Sequence, residues 1–268
     1  MPRIERAIKA KVKKVIAAVR TGNGVAYLNT DIANNELASV IKKLYVAVGV
    51  KHARLNYSRL LIRKSKPAEL VTKGFGFNAS WTAYIEQYLQ RFLLEKITFN
   101  VAATTRDSLL RILSQSVAEG WSIDQTVDKL EGWPGARYQS ARIVRTEVNR
   151  AANVGATAQN ETSQYQQTKE WIAVRDFRTR GNSSQDHASH VLLDGTKIDA
   201  EDSFADKRNG DVLQFPGDPK ASAASTINCR CSVGYEIKRD LRGEPIPKRK
   251  TTAVIYPSQQ RRMQTIAI

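Results

Sequence analysis

The sequence has few cysteines, no long apolar run and a shortage of acidic side chains, and the first two shortages each exclude a class of protein. Cys229 and Cys231 are the only cysteines among 268 residues, too few for a disulfide framework. No apolar run approaches the roughly 18 residues that a membrane-spanning helix requires, and the N-terminus is too charged for a secretory signal. We therefore expect a protein made in the cytosol that has no membrane partner.

The shortage of acids leaves a strongly basic chain. It has 42 lysines and arginines against 26 aspartates and glutamates, which gives a net charge of +16. Such an excess favours association with a polyanion, either a nucleic acid or an acidic protein surface. The alternative is a soluble protein whose charge only keeps its copies apart.

The first half of the chain has the apolar spacing of several helices. In residues 2–20, apolar side chains recur at helical spacing and basic ones fill most other positions. This helix lacks a Trp or Phe anchor for a membrane, so we expect it to lie against an acidic partner or DNA. We predict further helices at 31–48, ended by Gly49, at 51–64, from Ser80 to Leu93, at 105–119, and from a Ser122–Gln125 capping box to Gly132.

The second half has mixed patterns. We predict a helix at about 137–162, a strand in KEWIAVRD, loop-rich sequence to residue 228 and a second strand in CSVGYEI. The fold class is therefore α+β. It comprises a mostly helical N-terminal region (1–136), a small α+β domain (137–238) and an extended basic arm (239–268), which we expect to be ordered only on a partner.

The cysteines and two histidines form a candidate metal set. His187, His190, Cys229 and Cys231 are of the types that bind zinc. However, structural zinc sites usually separate paired cysteines by two to four residues, and a disulfide within C-x-C is sterically poor. The alternative is two small buried cysteines at a strand start and two surface histidines, and on spacing we expect no cofactor.

Charged residues cluster on the 137–162 helix and in the RDFRTR run, the latter containing Asp176, Arg178 and Arg180. Such a cluster can bind phosphate, because guanidinium groups match phosphate geometry. An internal ion-pair network that fixes the loop against the helix is the alternative, and it is the one we expect. We find no paired carboxylates, Ser/His/Asp order or phosphate-binding Gly-rich loop, and we therefore expect no enzyme.

Short motifs follow one another in an order that resembles a known family. They are RIVRTEVNRAANVGA (142–156), a strand with a tryptophan, D-x-R-T-R (176–180), H-x-x-L-D-G (190–195), F-P-G-D (215–218) and N-C-R-C (228–231). Together they resemble the phage head morphogenesis domain, which takes in the minor head protein of phage SPP1 and the F protein of phage Mu. The resemblance covers about residues 105–235. Family members often have H-P-N-C-R-C, whereas here Thr226 stands where that histidine would be.

The resemblance implies a minor capsid protein inside the head at the portal vertex of a tailed double-stranded DNA phage. It implies roles in head morphogenesis and in genome packaging or ejection, with assembly in the host cytoplasm. The implied partners are the portal protein and packaged DNA, with the major capsid protein as a further candidate. We interpret the shared residues as a structural motif: Arg145, Thr146, Glu147, Asn149, Asp176, Arg178, Arg180, His190, Gly195, Cys229 and Cys231.

Two other functions remain open on sequence. The first is a non-specific DNA-binding protein that is ejected with the genome. Its candidate phosphate contacts are Lys9, Lys13, Lys14, Lys248, Arg249 and Lys250. The second is a nuclease that uses His190 with Arg178 and Arg180, since these residue types can supply a base and charge stabilisation.

Overall fold

The computed structural model describes residues 2–30, 35–62 and 78–248. The N-terminal half is helical, which confirms the prediction. Its elements are α1 (Pro2–Arg20), α2 (Gly24–Thr30), α3 (Asn35–Ile62), α4 (Asn78–Tyr88), a π-helical segment (Leu89–Leu93), α5 (Leu94–Glu119), α6 (Ile123–Glu131) and α7 (Gly135–Thr162). Within the described ranges, none of the helices has the length and apolar character needed to cross a membrane.

The remaining elements build a small sheet on α7, so the predicted α+β fold is confirmed. They are β1 (Gln167–Ile172), α8 (His190–Leu193), β2 (Lys197–Asp199), β3 (Phe204–Ala205), β4 (Val212–Leu213), α9 (Ala223–Thr226) and β5 (Ser232–Ile237). Strand β1 lies between β2 and β5 in an antiparallel sheet, and Trp171 pairs with Val233. The short β3 and β4 pair separately within the segment that we predicted to be loop-rich.

Two local predictions are confirmed because neighbouring residues determine them. The apolar stripe of α1 is buried, including Ile4, Ile8 and Val15. The capping box of α6 is complete: the Gln125 amide donates to Ser122 Oγ (3.2 Å), and Gln125 Oε1 accepts from the Ser122 amide (2.8 Å).

Gly49 was predicted to end a helix, and this is wrong: α3 continues through it to Ile62. The reason is a close helix crossing. A Cβ added to Gly155 of α7 would lie 2.0 Å from the Gly49 carbonyl oxygen. Gly155 therefore lets α7 approach the backbone of α3, and Gly49 lies at this approach inside the helix. Helix α5 also begins earlier than predicted, at Leu94.

The first part of the predicted arm is held by its own chain rather than by a partner. The Gln166 amide donates to the Ile246 carbonyl (2.9 Å), and the Lys248 amide donates to the Gln164 carbonyl (2.8 Å). The prediction of an extended arm is wrong for residues 239–248, which turn back on themselves: the Asp240 amide donates to the Glu244 carbonyl (2.9 Å). Residues 249–268, and residues 63–77 between α3 and α4, lie outside the described residues.

One buried cluster joins the N-terminal helices to the sheet. It contains Ile8 of α1, Ile41 of α3, Trp81 of α4, Val154 of α7 and Trp171 of β1, among others. A second cluster packs α1 and α2 against α5 and α6, through Val12, Val15, Leu28, Leu109, Leu113 and Val127 among others. The boundary at residue 136 stays a prediction, and α7 is the element that both sides share.

Candidate functional site

Helix α7 presents a polar stripe to the chain that enters β5. Thr146, Asn149 and Asn153 follow at helical spacing and therefore lie on one face. Thr146 Oγ1 accepts from the Asn228 amide at 2.9 Å. The Cys231 carbonyl accepts from the side-chain amides of Asn149 (3.0 Å) and Asn153 (3.1 Å). We call the contact between this stripe, residues 176–180, His190 and the 228–231 segment the corner.

Asn153 makes the most bonds in the stripe. It is 2% exposed, and its amide also donates to the Pro216 carbonyl at 2.9 Å. Its Oδ1 accepts from the Val233 amide at 3.0 Å. A single side chain therefore holds the start of β5 and the F-P-G-D turn against α7. One turn further on, the Thr157 and Tyr235 hydroxyls are hydrogen-bonded at 3.1 Å.

The 176–180 loop is held to the other side of the same segment. Asp176 receives two hydrogen bonds from the Arg230 guanidinium, at 2.5 and 2.6 Å. These bonds lower the pKa of the Asp176 carboxyl far below its usual range. The Arg180 guanidinium donates to the Ile227 carbonyl. The loop and the strand entry are thus fastened to one another by two arginines, one from each.

His190 and the two cysteines form a buried group inside the corner. His190 Nδ1 lies 3.6 Å from Cys229 Sγ and 3.5 Å from Cys231 Sγ. The three residues are 1%, 2% and 3% exposed. The His190 ring packs at 67° against Trp171, with 5.0 Å between ring centroids. His190 Nε2 is buried and has no hydrogen-bond partner among the described residues.

The two thiols differ in acidity because they are hydrogen-bonded to one another. The bond from Cys231 lowers the pKa of the Cys229 thiol. The same bond, together with burial, raises the pKa of Cys231. Any negative charge in the group therefore resides on Cys229 in preference to Cys231.

A buried ion pair lies beside the polar stripe on α7. Glu147 accepts two hydrogen bonds from Arg150, at 2.7 and 2.8 Å, and one from the Tyr45 hydroxyl at 2.6 Å. Arg150 Nε donates to the Gly217 carbonyl at 2.6 Å. Burial, reinforced by the Glu147 charge, raises the pKa of Tyr45, which keeps its proton for this bond. The pair therefore ties α3, α7 and the F-P-G-D turn together.

The structure brings most of the proposed motif residues together. The residues that meet in the corner are Thr146, Asn149, Asp176, Arg180, His190, Cys229 and Cys231. Glu147 belongs to the ion pair instead, and Gly195, at a φ of 74°, turns the chain so that its amide donates to the Trp171 carbonyl at 2.8 Å. Arg145 and Arg178 are exposed. His187 is exposed and lies outside the histidine–cysteine group.

Sequence reasoning missed three residues of the arrangement. Asn153 was not selected, although its spacing from Asn149 places it on the same face of α7. Arg150 was interpreted only as one charge of the cluster on the helix. Arg230 was given no role, although Arg230 lies between the two cysteines. For Arg230 no local signal existed, because its partner Asp176 is 54 residues away.

The candidate DNA-contacting residues differ in their exposure and in their bonds. Lys9, Lys13 and Lys14 are on the exposed side of α1, where Lys9 forms an ion pair with Glu5 at 2.8 Å. Lys248 Nζ instead donates to the Asn160 carbonyl at 2.7 Å, near the C-terminus of α7. Lys248 is therefore bonded to its own domain. Arg249 and Lys250 lie outside the described residues.

Comparison with known proteins finds a curated relative and a family model that match part of the chain. An uncharacterized protein of Bacillus subtilis (strain 168), YqbB, is 24% identical over 149 residues, which is 56% of this chain and 48% of the relative. The chain thus spans about half the length of that relative. No solved structure matches the chain significantly. The model of a family described as phage Mu protein F like protein matches residues 107–234, a range that contains the whole corner. Residues 107–234 of this chain, a little under half of its length, are therefore similar to the phage Mu protein F like family.

Proposed function

We propose that this protein is a minor head protein of a tailed double-stranded DNA phage, which acts in head morphogenesis and is part of the virion. The observation that carries this proposal is the family match, which covers the corner from α5 to the middle of β5. A family named for a phage protein supports association with the phage head, and the resemblance of the motifs to minor head proteins supports the specific role.

The geometry of the corner favours a structural role over catalysis. Its polar side chains are used in bonds to the backbone or to each other, as in Asn153, Arg180 and the Asp176–Arg230 pair. His190, the base of the alternative nuclease, is 1% exposed and faces two thiols. A general base must come within hydrogen-bond reach of the proton that it removes. Burial of His190 therefore argues against cleavage of an external phosphodiester.

We place the protein inside the head, at the portal vertex, with the packaged genome as a neighbour. The charge of +16 supports this location, because a basic surface is stabilised beside packed DNA. The exposed lysines of α1, Lys9, Lys13 and Lys14, supply candidate phosphate contacts. Ejection of the protein together with the DNA is a second candidate function, favoured by the same lysines.

Purified particles test the assignment to the head. We expect mass spectrometry of phage particles to detect the chain at few copies per particle, and electron microscopy to locate it at the portal vertex. A phage with a stop codon early in the gene should yield defective or empty heads. Absence of the chain from both proheads and virions, with normal heads in the mutant, would refute the proposal.

A salt titration tests the DNA contact separately. Each phosphate contact adds about −0.9 to the slope of log K against log salt. If all three lysines bind phosphate, the Lys9→Ala/Lys13→Ala/Lys14→Ala variant should have a slope that is smaller by about 2.7. The matched control, Lys43→Ala/Lys51→Ala/Lys207→Ala, removes the same charge from exposed positions elsewhere. Equal slopes in the two variants would exclude α1 as the DNA-binding surface.

A further inference from the structure

The histidine–cysteine group directs two sulfur atoms at one imidazole nitrogen. His190 Nδ1 lies within 3.6 Å of both sulfurs, and both cysteines are buried as free thiols. A neutral imidazole offers one lone pair on its unprotonated nitrogen, so it accepts one S–H well. The bond between the two thiols can use the second S–H, but that bond does not require both sulfur atoms to lie within 3.6 Å of the same nitrogen. A cation between the three atoms accounts for all of them.

The distances are those of a tetrahedral metal site. Zinc binds thiolate sulfur at about 2.3 Å and imidazole nitrogen at about 2.0–2.1 Å, and a tetrahedral angle between such bonds separates nitrogen from sulfur by about 3.6 Å. The separations observed here are 3.6 Å to Cys229 and 3.5 Å to Cys231. All three candidate ligand atoms lie within 4.8 Å of one another. The C-x-C spacing is no obstacle, because alternate residues of an extended chain point to the same side.

We propose that His190, Cys229 and Cys231 bind one zinc ion, through Nδ1 and the two sulfur atoms. The ion replaces the two thiol protons, which are released to solvent, so the step involves no oxidant. Three protein donors leave a fourth position, which a water molecule fills. His187, the fourth member of the set suggested by sequence, takes no part because it is exposed and outside the group.

The position of the group in the fold gives the ion a structural role. His190 begins α8, and the cysteines lie 39 and 41 residues later at the entry to β5. A bound ion therefore closes a loop that contains β2, β3, β4 and α9, all short elements. Metal binding by a site that exists only in the folded chain stabilises the fold. The ion thus fastens the long, loop-rich segment to the sheet.

Metal analysis of the full chain tests the proposal directly. The chain is produced in zinc-containing medium without a histidine tag, and free metal is removed. We expect about one equivalent of zinc per chain, and a thiolate-to-metal charge-transfer band after replacement by cobalt(II). Both thiols should resist a thiol reagent until a strong chelator removes the ion, and removal should lower the midpoint of thermal unfolding. These measurements on the unaltered chain do not depend on a variant that folds.

Variants then identify the ligands. Cys229→Ser, Cys231→Ser and His190→Ala should each weaken zinc binding by more than about 100-fold, the upper range for loss of an outer-shell partner. His187→Ala is the matched control and should bind zinc like the unaltered chain. Failure of the unaltered chain to retain zinc or to give the cobalt band would overturn the proposal. So would zinc binding that Cys229→Ser leaves unchanged, or a disulfide between the two cysteines in the freshly purified chain.

Discussion

Truncation of Asn153 tests whether the corner holds β5 against α7. Asn153→Ala leaves the Val233 amide and the Pro216 carbonyl without the partners described above, whereas the Cys231 carbonyl keeps its bond from Asn149. Each buried polar group left unpaired costs about 1–3 kcal/mol. Two such groups give a loss of about 4 kcal/mol in the free energy of unfolding. At about 2–4 °C per kcal/mol, the unfolding midpoint should fall by about 8–16 °C.

Asn149→Ala is the matched control for this prediction. It is the same substitution on the same stripe, but Asn149 is half-buried, and its bond to the Cys231 carbonyl is duplicated by Asn153. We expect a loss of about 1 kcal/mol. Thermal unfolding followed by far-ultraviolet circular dichroism measures both variants. Equal falls in the two midpoints, or a loss below about 1 kcal/mol for Asn153→Ala, would refute the reasoning.

Two further predictions concern the helix crossing and a buried lysine. Gly155→Ala places a methyl group against the Gly49 carbonyl and should lower the free energy of unfolding by about 3 kcal/mol. Gly132→Ala is the control: its Cβ would meet only the Asp128 carbonyl, at 3.2 Å, and should change that free energy by less than about 1 kcal/mol. Similar urea midpoints in the two variants would contradict the close crossing. Burial lowers the pKa of Lys169 to about 8, below its unfolded value of about 10.4. The unfolded chain therefore binds more protons between these values, and stability should rise with pH there. Lys169→Met should remove up to about 1.4 kcal/mol per pH unit from that rise, and an unchanged slope of urea midpoint against pH would show that Lys169 does not titrate in this range.

The parts of the fold that sequence predicted are those set by neighbours in the chain. The α6 capping box joins Ser122 to a residue three positions later, and the buried stripe of α1 follows from its helical period. The prediction that a helix ends at Gly49 was wrong because Gly49 packs against a second helix. The sequence of α3 contains no signal for the approach of Gly155. Propensity favours an ending at Gly49, and tertiary packing overrides it.

Only part of the site could be predicted from the sequence, and the reason is similar. The types of residue in the corner were clear from the motifs, but which histidine faces the cysteines depends on the path of a loop. The Ser189 amide donates to Asp206 at 2.7 Å, and Ala188 is buried. With the chain held there, His190 points inward and His187 remains on the surface. Asp206 is 17 residues from Ser189, beyond what spacing can indicate.

The region that matches the family model, residues 107–234, does not contain all of the contacts that stabilise it. Glu147 and Arg150 lie within residues 107–234, but Tyr45, which donates to Glu147, lies in α3. Without the Tyr45 bond, Glu147 keeps only its two bonds from Arg150 among those described above, and less of the cost of burying its charge is compensated. The same ion pair reaches the F-P-G-D turn through the Gly217 carbonyl, and that turn is also bonded to Asn153. Helix α7 thus couples the N-terminal helices to the corner. Removal of the Tyr45 hydroxyl should therefore weaken the packing at the entry to β5.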